Sequence, residues 1–133
     1  IMEFDYKQFY VELGKLLSAI AKADGKVQLE EVHDLHKLVR NVLLKVNDQT
    51  DEFGTNHAFY TEFEFETMLD SKAEMDEAYD SFIKFITDNK ENITDKMKEI
   101  CMVSVEKIAD SFEGIVPEEK TLIDKLKKDL DKI

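Results

Sequence analysis

The feature that most constrains the fold is a pair of amphipathic helical segments joined by a tight Asp-Gly turn. The turn is Asp24-Gly25, and glycine readily adopts the left-handed backbone conformation that ends a helix. Glu30 and Glu31 follow where the N-terminus of the next helix favours acidic side chains. Apolar residues recur at helical spacing before the turn (Leu13, Leu16, Leu17, Ile20) and after it (Val32, Leu35, Leu38, Val39). The pattern predicts a helix–turn–helix hairpin.

The turn also carries a family resemblance. The sequence A-D-G-K-V-Q-L-E-E at residues 23–31 fits the pattern A-D-G-x-V-x-x-E-E, and in this the chain resembles the TerB-like (tellurite-resistance) family of helical domains. The same domain type occurs in membrane-anchored J-domain co-chaperones. The stretch DEFGTNHAFYTEFEFETML at residues 51–69 also resembles members of this family. The resemblance implies a scaffold-like helical domain of stress-response systems that is sensitive to divalent metal and has protein partners.

Helical periodicity continues along the rest of the chain and predicts an all-α fold. Residues 63–66 read F-E-F-E, which alternates as a strand does, but no partner strand is apparent, so a helix is predicted there too. Pro117 stands where the first residue of a helix tolerates proline. The predicted helices cover about residues 4–22, 28–46, 59–69, 71–88, 93–111 and 117–131.

A second glycine-centred turn indicates an internal repeat. The sequence F-E-G-I-V at residues 112–116 matches A-D-G-K-V at residues 23–27 position by position. We therefore expect a single domain, residues 1–133, folded as a compact five- to six-helix bundle built on two helix–turn–helix repeats. The repeats would span about residues 13–46 and 97–131, with an acidic middle insert at about residues 48–90.

Charge and composition exclude several classes of protein. The net charge is −12 and Arg40 is the only arginine, whereas nucleic-acid binders need a basic surface for phosphate contacts. We find no apolar run long enough to cross a membrane and no signal pattern, so we expect a cytoplasmic protein without direct membrane insertion. The single cysteine, Cys101, lies in an apolar run and is predicted to be a buried structural thiol.

The Asp-Gly turn invites comparison with the EF-hand calcium loop. With Gly25 at the sixth position of such a loop, Asp24 and Glu31 fall on the fifth and twelfth, but an isoleucine and a lysine occupy the first and third. These two cannot replace the carboxylates that the loop needs, so a working EF-hand is rejected. Asp24, Glu31 and Glu113 can instead stabilise the turns and the N-termini of the helices that follow. The alternative is that these three residues bind a metal ion in a divergent way.

The spacing of the histidines and the lack of known catalytic motifs in the sequence disfavour an enzyme. Glu30 precedes His33 as Glu-x-x-His, but di-iron helix bundles need this motif twice, so His33 and His36 are expected to be surface or half-buried side chains. The chain lacks H-E-x-x-H, a G-x-S-x-G elbow and a glycine-rich phosphate loop. A hydrolase that uses paired carboxylates is also disfavoured, because no acidic residue stands in an apolar setting that would raise its pKa.

Acidic residues are concentrated in the middle of the chain. Residues 48–80 hold eleven acidic side chains and one lysine, which is −10 of the net charge of −12. Like charges four residues apart on a helix cost about 0.2–0.5 kcal/mol per pair, which a bound ion or partner would offset. We predict that an acidic patch attracts a divalent cation, calcium or a similar ion, or a basic partner. The patch comprises Glu62, Glu66, Asp70, Asp76 and Asp80.

Together these patterns favour a non-enzymatic stress-response or interaction module that resembles the TerB-like proteins. The alternative is a protein that binds or senses a divalent cation through its acidic helix faces. No cofactor is required under the first interpretation, and a protein partner is expected, whose identity and stoichiometry the sequence does not specify. An interaction module predicts an exposed apolar patch beside the acidic residues, whereas an enzyme predicts a pocket with a partly buried carboxylate.

Overall fold

A computed structural model describes residues 4–23, 29–46, 53–70, 75–110 and 117–133, apart from the side chains of residues 29–31, 46 and 70. These residues form six α-helices, one short 3-10 helix (Lys90–Asn92) and no β-strand, which confirms the all-α prediction for this part of the chain. The helices are α1 (Tyr6–Lys22), α2 (Leu29–Leu38, continued by a π-helical segment Val39–Leu43 and a last turn Leu44–Val46), α3 (Phe59–Asp70), α4 (Met75–Asp88), α5 (Asp95–Ala109) and α6 (Pro117–Asp131). None of these helices has both the length and the apolar character of a membrane span.

Helix α1 lies at the centre of the fold. It packs against α3, α4 and α5 and also contacts α6, while α2 and α6 both contact α5. Because neighbours cover several sides of α1, the helix buries polar residues such as Glu12 and Ser18 as well as its apolar stripe. The inward face predicted for this helix is fully buried: Leu13, Leu16, Leu17 and Ile20.

The buried carboxylate of Glu12 joins α1 to α4. Ser81 on α4 donates to both carboxylate oxygens, at 2.9 and 3.1 Å. Gln8 Nε2 and Lys15 Nζ, both on α1, donate to Oε1 at 3.1 and 3.2 Å. Burial of an acidic side chain is costly unless hydrogen bonds replace its hydration, and these three donors, with the Ser81 hydroxyl shared between both oxygens, do so.

Local sequence signals explain where helices begin. Asp5 caps α1 and Thr94 caps α5, each accepting a hydrogen bond from the backbone N–H three residues later, at 3.0 and 3.1 Å. Pro117 is the first residue of α6, as predicted. The ambiguous residues 59–69 form helix rather than strand, since they lie within α3.

The features that suggested an internal repeat fall mostly outside the described residues. The two glycine-centred turns occupy residues 24–28 and 111–116, neither of which the structure describes. The left-handed conformation expected at Gly25 and the equivalence of the two hairpins therefore stay predictions. The coarser expectation, an all-α bundle of five to six helices, agrees with the described helices and their packing.

Candidate functional site

Helix α3 lies close to α1 at Gly14, and this contact orients the site. A Cβ atom at Gly14 would lie 2.6 Å from the Thr61 carbonyl oxygen and 2.9 Å from Glu64 Cβ. At the same contact the Thr61 hydroxyl donates a hydrogen bond of 2.7 Å to the Tyr10 carbonyl. Thr61 therefore faces α1. Because successive helical residues are turned by about 100°, Glu62 points to a different side of α3, where α2 lies.

The α2–α3 cluster consists of His36 and Arg40 on α2 and of Glu62 and Glu66 on α3. Glu62 is its buried member, at 5% exposure. His36 Nδ1 contacts Glu62 Oε1, and Arg40 Nη1 lies 3.4 Å from the same oxygen. The buried carboxylate is thus matched by an imidazole and a guanidinium from the facing helix, as a buried charge requires.

Glu66 lies one turn beyond Glu62 and is the open member of the cluster. Its Oε1 lies 3.7 Å from His36 Nε2, so the two ring nitrogens of His36 face two different carboxylates. The side chains of Glu66 and His36 are 51% and 37% exposed. The cluster therefore runs from a buried end at Glu62 to a solvent-accessible end at Glu66.

Arg40 occupies the π-helical segment that follows His36. Its Nη1 donates to the His36 carbonyl at 3.2 Å and to Glu62 at 3.4 Å. The same nitrogen lies 3.4 Å from His36 Nδ1, which can accept from Arg40 only in the tautomer that carries its hydrogen on Nε2. The segment contacts α3, and π-helical turns occur frequently at functional sites.

The α2–α3 cluster contains donors that suit a metal ion. Within the described parts of the chain, one group of three or more histidine, cysteine and acidic side chains has its ligand atoms close together. The group is His36, Glu62 and Glu66, whose ligand atoms lie within 4.8 Å of one another. It combines one nitrogen donor with two carboxylates, a set that occurs at zinc and related metal centres.

Three aromatic side chains contact one another on α3: Phe63 is half-exposed, while Phe59 and Tyr60 are partly buried against the core. Phe59 and Phe63 stack with ring centroids 6.5 Å apart, and Tyr60 meets Phe63 edge-on at 5.7 Å. Lys7 from α1 places its ammonium 4.6 Å from the centre of the Tyr60 ring. Phe63 is 50% exposed, although a phenylalanine is usually buried. We name these residues the aromatic face: Phe59, Tyr60 and Phe63.

The structure brings together only part of the predicted acidic patch. Glu62 and Glu66 lie in the α2–α3 cluster, whereas Asp76 and Asp80 are exposed on α4 and do not belong to it. The side chain of Asp70 lies outside the described residues. The same holds for Asp24 and Glu113 and for the side chain of Glu31, so their metal role stays a prediction.

Two members of the cluster, His36 and Arg40, were not assigned a functional role from the sequence. His36 is half-buried, within the range expected, but it contacts two carboxylates that the sequence did not connect with it. One signal was available. His36 and Arg40 are spaced by four residues, as are Glu62 and Glu66. When two such helices pack side by side, the basic pair of one can therefore face the acidic pair of the other.

Three groups outside the α2–α3 cluster have raised pKa values that burial explains: Cys101, Tyr10 and Tyr79. Burial raises the pKa of the Cys101 thiol to about 12 and that of Tyr10 to about 12. Burial and a 2.6 Å hydrogen bond to Asp129 raise the pKa of Tyr79 above its usual value. The prediction that Cys101 is a buried thiol is confirmed, and its raised pKa makes it a poor nucleophile.

Comparison with other proteins adds no assignment: no protein-family model, curated protein or solved structure matches this chain.

Proposed function

We propose that this protein is a non-enzymatic interaction domain that binds a basic, amphipathic segment of a partner protein on the aromatic face of α3. The observation that carries the proposal is the half-exposed ring of Phe63, stacked on Phe59 and one helical turn from the exposed carboxylate of Glu66. An exposed apolar patch beside acidic residues is what an interaction module requires.

The aromatic face suits an apolar anchor of the partner. Phe59, Tyr60 and Phe63 form a continuous set of ring contacts, so a partner side chain that covers Phe63 meets an ordered apolar surface. Aromatic residues dominate the energetic centres of protein interfaces because they bury large areas with few rotatable bonds. The rings on α3 can therefore supply affinity.

The surrounding charge suits basic residues of the partner. Glu66 is exposed one turn from Phe63, and the chain as a whole carries −12. Lys7 already places an ammonium over the Tyr60 ring, which illustrates how a cation sits on this face. Charge complementarity would steer a basic segment toward α3 and speed association at low salt.

The cleft between α5 and α6 does not have the features of an active site that uses carboxylates. It is lined by Met102 and Ile123 together with acidic and lysine side chains. Its carboxylates, on Glu106, Asp110 and Asp124, are exposed to solvent. A catalytic general acid needs a carboxyl group that apolar neighbours desolvate, and this cleft does not supply that setting. The scaffold-like role implied by the TerB-like resemblance agrees with the non-enzymatic proposal.

The test is titration of the full chain with a synthetic amphipathic peptide of lysine and leucine, followed by NMR. Amide shifts should change along α3 around Phe63. Phe63→Ser should weaken binding, whereas Val103→Ser should not, because Val103 is a comparably exposed apolar residue on α5, at 43% against 50%.

A scrambled peptide of the same composition separates apolar docking from plain charge attraction. It retains the lysines but loses the amphipathic face, so it should bind more weakly than the ordered peptide. Equal binding of the two peptides, or equal binding by Phe63→Ser and Val103→Ser, would contradict the proposal.

A further inference from the structure

The geometry points to a second binding site: we propose that His36, Glu62 and Glu66 bind one divalent transition-metal ion such as zinc. The site shares Glu66 with the proposed partner surface, but its other ligands lie between α2 and α3 and it does not use the aromatic rings of α3. Its three donor atoms come from two helices and lie within 4.8 Å of one another.

Only small side-chain movements are needed to close the site. Donor atoms bound to one tetrahedral zinc ion lie about 3.4 Å apart, because each bond is about 2.1 Å long. Glu62 is held in place by burial, while His36 and Glu66 are half-exposed and free to rotate toward it. The contact at Gly14 keeps α3, and with it both glutamates, in position against α1.

The donor set selects the class of metal. Calcium and magnesium prefer oxygen ligands alone and in larger number, whereas zinc and its neighbours accept an imidazole nitrogen together with carboxylates. The acidic residues alone suggested calcium or a similar ion. Because His36 adds a nitrogen ligand, we expect a divalent transition metal instead. Three protein ligands leave a fourth position for water or for another donor.

The charge of the cluster also favours a divalent ion. Two glutamates carry two negative charges, and Arg40 supplies one fixed positive charge at 3.4 Å from Glu62. A divalent ion supplies two positive charges at the centre of the cluster and would displace Arg40 from Glu62. The Arg40 side chain is 55% exposed, so its guanidinium can move into solvent when it is displaced.

The experiment measures zinc affinity of the full chain by competition with a chromophoric chelator, with no partner present. The wild-type protein should bind one zinc ion per chain. His36→Gln and Glu66→Gln should each weaken binding by at least about tenfold, because loss of an outer-sphere partner alone costs about 10–100-fold. Glu62→Gln is not the primary variant, since a change at a buried charge can also disturb folding.

Matched controls separate the site from general acidity. His33→Gln removes an exposed histidine on the same helix, and Glu77→Gln removes an exposed glutamate on α4. Both should bind zinc as the wild type does. Cobalt(II) absorption should report nitrogen and oxygen ligands without thiolate, because Cys101 is buried elsewhere.

Arg40→Gln tests the charge argument. Removal of a cation beside the ligands should raise zinc affinity, or leave it at the wild-type value if the guanidinium moves away freely. Absence of one-to-one zinc binding, equal affinity of His36→Gln and His33→Gln, or a loss in Arg40→Gln as large as that in Glu66→Gln would overturn the site. None of these results depends on the peptide titration, so the two proposals fail separately.

Discussion

Ser81, which is half-buried, and Ser104, which is buried, show how differently a serine hydroxyl can contribute to stability. Ser81 donates to the carboxylate of Glu12 and so helps to satisfy a buried acidic group. Ser104 on α5 is fully buried, and its hydroxyl makes no hydrogen bond within the described structure. A buried hydroxyl without a partner destabilises the fold, whereas a hydrogen bond to a charged group is among the strongest.

Alanine at these two positions should therefore have opposite effects. Ser81→Ala should destabilise the protein by about 1.5–3 kcal/mol, because it removes a donor to the Glu12 carboxylate. Ser104→Ala should be neutral or stabilising, because it removes only an unsatisfied group. Urea denaturation of both variants measures this difference, and an equal loss of stability in the two would show that Ser104 has a partner after all.

The raised pKa of the buried Cys101 thiol predicts that the protein loses stability at alkaline pH. The folded thiol has its pKa raised from 9.0 to about 12, so above pH 9 the unfolded state loses this proton first and stability falls as pH rises. Between about pH 8 and about pH 10 this difference in pKa removes roughly 1 kcal/mol of stability. Cys101→Ala should be less stable at neutral pH through lost packing, but its stability should fall less over this range. Parallel pH profiles would contradict the assignment.

At the scale of elements, the contact between α1 and α3 decides where the candidate sites lie. Gly14 permits the close approach, and α3 carries both the aromatic face and the two glutamates of the α2–α3 cluster. On the other side, the π-helical segment of α2 brings Arg40 to Glu62. The orientation of α3 thus couples the two proposed sites to the core of the bundle.

Gly14→Ala tests this contact. In an exposed helix the change would stabilise by about 1 kcal/mol, because alanine is the better helix former. Here the new Cβ would meet the Thr61 carbonyl at 2.6 Å, and backbone atoms cannot move away cheaply. We expect a net loss of about 1–3 kcal/mol in a denaturation experiment. Unchanged or increased stability would show that α3 can move outward without cost.

At the scale of the whole molecule, negative charge opposes folding. The chain carries −12, and −10 of this lies in residues 48–80. Self-repulsion of this size destabilises the compact state and is reduced by salt, since the screening length is about 8 Å at physiological ionic strength. The acidic composition therefore couples stability to ionic conditions, independently of any specific site.

Melting curves in different salts separate screening from binding. Sodium chloride and calcium chloride at matched ionic strength should raise Tm by similar amounts, because both screen the same charge. Zinc at a hundredfold excess over its dissociation constant should add about 2.7 kcal/mol beyond screening. That additional effect should fall to about half or less in Glu66→Gln, because a tenfold loss of affinity leaves only about a tenfold excess over the dissociation constant. A calcium effect well above that of sodium would instead favour the oxygen-only site expected from the sequence.

Helix positions and the inward faces could be read from the sequence because both depend on local periodicity. The 3.6-residue repeat placed Leu13, Leu16 and Leu17 on one face, and all three are fully buried. Pro117, read as a first helical residue, placed the start of α6 correctly. The acidic pair Glu62 and Glu66 was likewise visible as two like charges one turn apart.

The meeting of His36 and Arg40 with Glu62 and Glu66 was decided only by the tertiary structure. Periodicity determines which residues share a face of one helix, but it says nothing about which two helices adjoin or how each is rotated. The rotation of α3 depends on the backbone contact at Gly14, and the reach of Arg40 accompanies a π-helical turn that the sequence pattern does not predict. Sequence alone thus determined the helices and the charge of this protein, while packing determined which charges face each other.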